Sequence, residues 1–280
     1  MINSNTVTTA TVETPDGRLY YEVRGSGPVI ALVGAPMDAD SFAGLADSLA
    51  SDHTVLTMDP RGIKRSPLTD PARGSAPEER ADDLARLLTL LDAGPATLFG
   101  SSGGAVTSLA FAQAHPELVR IVVAHEPPLT QLLPDSDQQR EQTGAMINTY
   151  LSGDVIGAWR KFFGQSGLPI PDELLEAWFG GERDPQVVAD ERFWFEHELP
   201  ASVHWQPDLA RLRDGRVGIV IGLGDESAGQ LCERTCRALA GELGGEPVSF
   251  PGDHTGFTDH PDAFADRLRV LQRRDSDVRS

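Results

Sequence analysis

Short apolar runs alternate along the chain with longer amphipathic stretches. Val29–Val33 is apolar without interruption, the pattern of a strand buried on both faces. Val55–Met58, Ala96–Phe99, Val119–Ala124, Val217–Ile221 and Val248–Phe250 read as further strands. Two extended segments, Val7–Thr14 and Leu19–Val23, open the chain around Pro15-Asp16-Gly17, a hairpin turn signal. Helical periodicity is predicted over Ser41–Leu49, and from Pro77 with Leu84, Leu87, Leu88 and Leu91 as the buried stripe. It recurs from Ala105 to His115, over Ser227–Leu243 and over Asp262–Leu271, after which the polar tail from Gln272 reads as frayed. Alternation of this kind predicts an α/β fold, with a mostly parallel sheet, helices on both faces and an antiparallel edge from the first hairpin.

Residues 128–206 break the alternation and read as helices separated by Pro and Gly. Ten of the eighteen aromatic residues and all four tryptophans lie there. A small helical subdomain needs large side chains for its own core, and most of these rings serve that need. A few, with Trp159, Phe163 and Trp194 as candidates, are expected to line an apolar pocket over the sheet. The division expected is a core of residues 1–127 and 207–280 interrupted by the helical segment 128–206.

Composition removes whole classes of function. The net charge is −18 and the pI about 4.7, so phosphate backbones and anionic lipid are repelled. Neither a nucleic-acid nor a membrane partner is expected. No apolar run approaches the roughly 20 residues of a membrane span. The opening residues lack a basic and then apolar leader, so a cytoplasmic location is expected. Cys232 and Cys236 stand one helical turn apart, a spacing poorly suited to a disulfide, and read as reduced thiols.

Gly100-Ser101-Ser102-Gly103-Gly104 fits the string G-x-S-x-G and sits between a predicted strand and a predicted helix. A serine at such a crossing is held in a strained backbone with its hydroxyl above the sheet edge. Residues two before and two after it crowd together, so both must be tiny. Gly100 and Gly104 meet that need around Ser102, whereas centring on Ser101 would place Phe99 in the crowded position. Ser102 also opens a helix, where unpaired N–H groups favour developing negative charge.

On these residues the chain resembles an α/β-hydrolase of the serine-nucleophile type, from Thr11 to Leu271. The resemblance implies an eight-stranded sheet with a cap inserted after the sixth strand, where the aromatic-rich segment lies. Serine in place of an aspartate nucleophile argues against haloalkane dehalogenases and epoxide hydrolases. The family places its histidine after the last strand, and Gly252, His254, Gly256 and Phe257 match its G-x-H-x-G-F pattern. A serine hydroxyl ionises too weakly to attack unaided, so a neutral imidazole must take its proton.

Two carboxylates compete for the third place. Many members put an Asp after the seventh strand, and Gly222-Leu223-Gly224-Asp225 satisfies that string; aligning on Gly224, however, puts Ser227 where the Asp belongs. One group of dehalogenases instead carries a Glu just after the sixth strand, and Glu126 lies at the corresponding offset from Ser102. Glu126 is the favoured acid and Asp225 the alternative. The resemblance also implies an oxyanion hole from the N–H groups of Gly103 and of Ala35, in Val33-Gly34-Ala35-Pro36, where Val33 replaces the usual His. Met37 is a further candidate substrate contact. Asp59-Pro60-Arg61-Gly62 resembles the family's D-x-R-G loop, with Arg61 in a structural, locally paired role.

Nothing in the chain indicates a cofactor or metal. Gly25-Ser26-Gly27 precedes a strand and not a helix, unlike a nucleotide fingerprint. The expected activity is a cofactor-free serine hydrolase acting on a small or medium apolar ester, lactone or thioester, as a monomer or homodimer. The same triad could serve C–C bond hydrolysis, lyase or cyclisation chemistry. A non-catalytic ligand-binding protein on the same fold is the reading from another class.

Overall fold

Eight strands form one sheet in a computed structural model that describes residues 6–92 and 94–279. The hairpin β1 (Thr8–Thr14) and β2 (Gly17–Gly25) supplies the antiparallel edge. β3 (Val29–Val33), β4 (Thr54–Met58), β5 (Ala96–Ser101), β6 (Val119–His125), β7 (Gly218–Gly224) and β8 (Val248–Phe250) run parallel to one another, in the order β1-β2-β4-β3-β5-β6-β7-β8. Every residue of β3 and of β5 is buried, as expected of central parallel strands, and β3 is apolar throughout. β1, at the edge, alternates between exposed and half-buried positions.

Helices cover both faces. On one lie α2 (Pro77–Leu91), α3 (Gly103–Ala114) and α10 (Leu231–Glu242), packed on Val33, Leu98, Val122 and Ala124. On the other lie α1 (Ala43–Leu49), the single turn α11 (Gly256–Asp259) and α12 (Pro261–Arg279). Within that second layer, Phe42, Phe99, Phe250, Phe257 and Phe264 form a fully buried ring cluster, with Phe42 stacked on Phe257 at 4.9 Å and Phe99 edge-on to Phe264 at 5.8 Å. These contacts tie the end of β5 to the segment after β8.

Between β6 and β7 the chain forms α4 (Ser136–Leu151), α5 (Val155–Ser166), α6 (Asp172–Phe179) and α7 (Pro185–Phe193). A π-helical turn, Trp194–Glu198, then leads into α8 (Leu199–Val203) and α9 (Leu209–Arg213). Met146, Tyr150, Ala158, Trp194, Phe195, Leu199 and Val203 make a separate apolar core there. This insertion rests on the loop after β4, where a Cβ on Gly62 would meet the Phe193 ring at 2.2 Å and Asp190 accepts the Lys64 N–H at 3.0 Å. Arg61 in that loop forms two hydrogen bonds with Asp83 of α2, at 2.7 and 3.1 Å. Its role is structural, but its partner is distant in sequence and not local.

Two helix boundaries differ from expectation by a turn or more. α10 begins at Leu231 and not at Ser227, because residues 224–230 close turns (Ser227 N–H to Gly224 O at 3.2 Å, Gln230 N–H to Ser227 O at 3.2 Å). The final helix runs past Leu271 to Arg279. Gln272, the expected start of a frayed tail, is buried and bonds to both His53 (2.9 Å) and Thr97 (3.0 Å), so a polar residue anchors the helix where its apolar stripe ends.

The crossing between β3 and α3 leaves no room for a side chain. A Cβ on Gly104 would lie 2.0 Å from the Val33 carbonyl oxygen, and one on Gly100 would lie 2.3 Å from the Gly104 carbonyl oxygen. Both obstacles are backbone and cannot swing away. Gly104→Ala is therefore expected to destabilise the fold by about 3 kcal/mol or more, the upper end of overpacking costs. Urea unfolding monitored by circular dichroism measures it, with Gly144→Ala, in mid-helix with nothing within 4 Å of the added Cβ, as a reference expected not to destabilise.

Candidate active site

Ser102 follows β5 directly and caps α3 with φ 56° and ψ −124°, a conformation that L residues rarely adopt. Its N–H donates to the His125 carbonyl at 2.9 Å, and its carbonyl accepts from Ala105 and Val106. The turn is thus fixed on both sides, with Ser102 half-buried. Ser101, one residue earlier, is fully buried and shares a 3.1 Å hydrogen bond with His125 Nδ1. It faces the core, which agrees with the glycine argument for Ser102.

Glu126 directly follows β6, the neighbouring strand, where Ser101 pairs with His125. It too has a positive φ, 50°, and its side chain is fully buried. Oε1 accepts the Gly224 N–H at 2.8 Å, and Oε2 accepts from His254 Nδ1 at 2.7 Å. Burial alone would raise this carboxyl. The His254 hydrogen bond, the neighbouring imidazoles and the Ser227 hydroxyl outweigh it and hold the group at about 2. Glu126 therefore stays ionised across the working pH range. With Nδ1–H committed to Glu126, the lone pair of His254 lies on Nε2, and about one third of the His254 side chain is exposed.

Asp225 is placed otherwise. It is exposed, and its Oδ1 accepts the Gly252 N–H at 2.8 Å, pinning the end of β7 to the loop that carries His254. It neither caps α10 nor contacts the imidazole. Ser227 lies inside, fully buried, beside Glu126.

Gly103 begins α3, so its N–H has no intrahelical acceptor. Ala35 lies against it, since a Cβ on Gly103 would meet the Ala35 carbonyl oxygen at 2.5 Å. The structure thus brings the two expected oxyanion donors to the same crossing. The candidate substrate contacts have other surroundings. Met37 packs against the cluster of Phe42 and Leu45. Trp159 stacks on Phe179 (4.2 Å) and Trp194 (5.1 Å), and its indole N–H donates to Glu191 at 2.7 Å. Phe163 lies 5.8 Å from Trp159. These rings pack on one another, as the core of a helical insertion requires.

Sequence reasoning missed Glu198, in the π-helical turn. It is buried, and its Oε1 would touch a Cβ on Gly103 at 2.5 Å. That oxygen accepts from Ser202 Oγ at 2.5 Å and lies 3.7 Å from Arg80, which also holds Ser202 and Thr107. Thr107 in turn donates to the Gly103 carbonyl at 3.0 Å. Burial raises the Glu198 carboxyl more than Arg80 lowers it. The sequence carries no local signal for this group, because apart from Ser202, four residues on, its neighbours Gly103 and Arg80 lie 95 and 118 positions earlier and meet it only through the fold.

Comparison with known proteins accords with this geometry. Residues 27–156 match the family model described as the alpha/beta hydrolase fold. The chain is 33% identical over 276 residues, 96% of this chain and 98% of the other, to a protein of Bacillus subtilis (strain 168) named uncharacterized hydrolase YraK. The chain belongs to the α/β-hydrolase family. It is an enzyme of the hydrolase class. This hydrolase is also 26% identical over 271 residues to the zearalenone hydrolase of Bionectria ochroleuca, covering 92% of this chain and 95% of that one. A thermophilic esterase from Thermogutta terrifontis shares the fold at a TM-score of 0.70 and 20% identity, with 96% and 99% of the two chains covered. Among the described residues no helix is long and apolar enough to cross a membrane.

His125 makes the hydrolase acid-sensitive. It is fully buried, and desolvation, assisted by the nearby His254, outweighs the attraction of Glu126 and lowers it to about 4. Between that value and the ordinary one near 6.5 the unfolded chain binds a proton that the folded chain refuses. The stability is full above pH 6.5 and falls towards pH 4, by on the order of 3 kcal/mol from this residue. Urea unfolding across this pH range is expected to show the loss. His125→Gln should flatten the slope, whatever its effect on stability at pH 7.

Proposed function

We propose that the hydrolase cleaves small or medium apolar carboxylic esters, lactones or thioesters through an acyl-enzyme on Ser102. The contact of His254 Nδ1 with Glu126 Oε2 at 2.7 Å carries the reading. It orients the ring, selects the tautomer with a free Nε2, and stabilises the imidazolium that forms when the Ser102 proton is taken. The strained turn at Ser102 supplies the nucleophile at the carboxyl end of the sheet, where open α/β sheets bind ligands.

In the proposed sequence Nε2 of His254 accepts the Ser102 proton as Oγ attacks the carbonyl carbon. Negative charge develops on the carbonyl oxygen, and the N–H groups of Gly103 and Ala35 stabilise it. The tetrahedral adduct collapses, and His254 hands its proton to the departing alkoxide or thiolate. A water activated by the same nitrogen then releases the acid and restores Ser102. Glu126 remains a carboxylate throughout. The esterase name of a structural neighbour supports the substrate class, as does the concentration of aromatic rings in the insertion.

Turnover of p-nitrophenyl esters and labelling by a fluorophosphonate probe test the proposal. Ser102→Ala is expected to abolish labelling and, like His254→Ala, to lower kcat by about 10³-fold or more. Glu126→Gln should cost a similar factor, because an amide cannot hold the same tautomer with a compensating charge. Asp225→Asn keeps an oxygen for Gly252 and should stay within about 3-fold of the parent, the size of an ordinary surface effect. Labelling of Ser102 without ester turnover would move the reading to C–C bond cleavage, lyase or cyclisation chemistry on the same triad.

A further inference from the structure

The Nδ1 side of His254 carries more polar groups than proton transfer uses. Glu126, Cys232 and His254 each point a potential ligand atom to one place, and the three atoms lie within 4.8 Å of one another. Ser227 Oγ belongs to the same nook. It is fully buried and makes no well-formed hydrogen bond, yet it is near enough to both Glu126 and Cys232 to influence their ionisation. Gln230 Oε1 stands 3.5 Å from the Cys232 sulfur. A thiol, an imidazole nitrogen and a carboxylate oxygen, with a hydroxyl or amide oxygen as a fourth donor, form a mixed S/N/O set. Borderline-soft d¹⁰ cations favour such a set; Mg²⁺ and Ca²⁺, which prefer oxygen, do not.

We propose that Cys232, Glu126 and His254 form an inhibitory binding site for a thiophilic divalent cation such as Zn²⁺ or Cd²⁺. Tetrahedral zinc wants its donor atoms roughly 3.3–3.6 Å apart, given ordinary Zn–N, Zn–O and Zn–S lengths. The His254–Glu126 pair, at 2.7 Å, must open by roughly half an ångström, and the sulfur must close by up to about one ångström. Side-chain rotation supplies both movements.

Inhibition follows from proton placement. The cation displaces the Cys232 thiol proton, which leaves to solvent, and takes the Nδ1 lone pair of His254. The ring proton then resides on Nε2, the nitrogen that must be empty to accept from Ser102. One cation binds, one proton is released, and the base is lost without any change at Ser102. The inhibitory consequence rests on the proposed triad; the binding itself rests only on the donor geometry.

Cadmium titration monitored through the ultraviolet sulfur-to-cadmium charge-transfer band reads binding without turnover. The wild-type hydrolase and Ser102→Ala should both show the band at one equivalent. Cys236→Ala should keep it, and Cys232→Ser and Cys232→Ala should both lose it. In parallel, Zn²⁺ should inhibit p-nitrophenyl ester turnover reversibly, with chelator restoring the rate. Cys232→Ser should raise the half-inhibitory Zn²⁺ concentration at least about 10-fold, each variant being scored against its own metal-free rate. No band in the wild type, a band that survives in both Cys232 variants, or unchanged zinc sensitivity in Cys232→Ser overturns the proposal. A band that behaves as expected in a protein without ester turnover would sink the substrate reading and leave the metal site standing.

Discussion

A fully buried carboxylate at the end of a central strand is the constraint around which this hydrolase is organised. Removing a charge from water costs several kcal/mol unless donors replace the solvent. Glu126 has two, the Gly224 N–H and His254 Nδ1–H, at 2.8 and 2.7 Å. One comes from the end of β7 and the other from the loop after β8. Their convergence demands that β6, β7 and β8 end in register, and the pairings His125–Gly222 and Gly224–Phe250 meet that demand. Asp225 reinforces the arrangement by holding Gly252, so the carboxylate that lost the competition for the imidazole still helps to position it.

Two strained residues flank this arrangement. Ser102 and Glu126 both have positive φ, at a cost of about 1–3 kcal/mol each. The surrounding structure over-determines them. Val33 and Gly104 press the β3 loop against α3 so closely that only glycine fits, and the phenylalanine cluster under β5 reaches to Phe257, three residues after His254. The turn at Ser102 and the loop carrying His254 are thus braced by packing on opposite faces of the sheet. The phenylalanine layer also encloses His125, and that burial opposes its protonation.

The helices between β6 and β7 are more than an apolar lid. A buried carboxyl group from these helices, Glu198, meets Gly103 beside the Ser102 turn, and Arg80 links it through Ser202 and Thr107 back to the Gly103 carbonyl. The insertion and the core therefore share a polar seam at the residue expected to stabilise the oxyanion. The aromatic residues of the insertion, by contrast, chiefly fill its own interior.

Much of this was legible in the sequence, for identifiable reasons. Parallel strands buried on both faces are mostly apolar, so β3 stands out as an unbroken run and β5 and β6 as nearly apolar ones. A residue held in a tight strand-to-helix crossing needs glycine two residues to either side, so Ser102 could be told from Ser101 as the one in the strained turn. The position of His254 after the last strand followed from the same order of elements. Other features were decided only by tertiary structure. Glu126 and Asp225 both stand at strand ends before His254, and the choice between them depends on which one the sheet buries. Gln272 looked like the start of a loose tail because its partners, His53 and Thr97, are remote in sequence. Glu198, Arg80 and the nook around Cys232 and Ser227 carry no periodicity or motif, because a buried polar contact is defined by what meets in space and not by spacing along the chain.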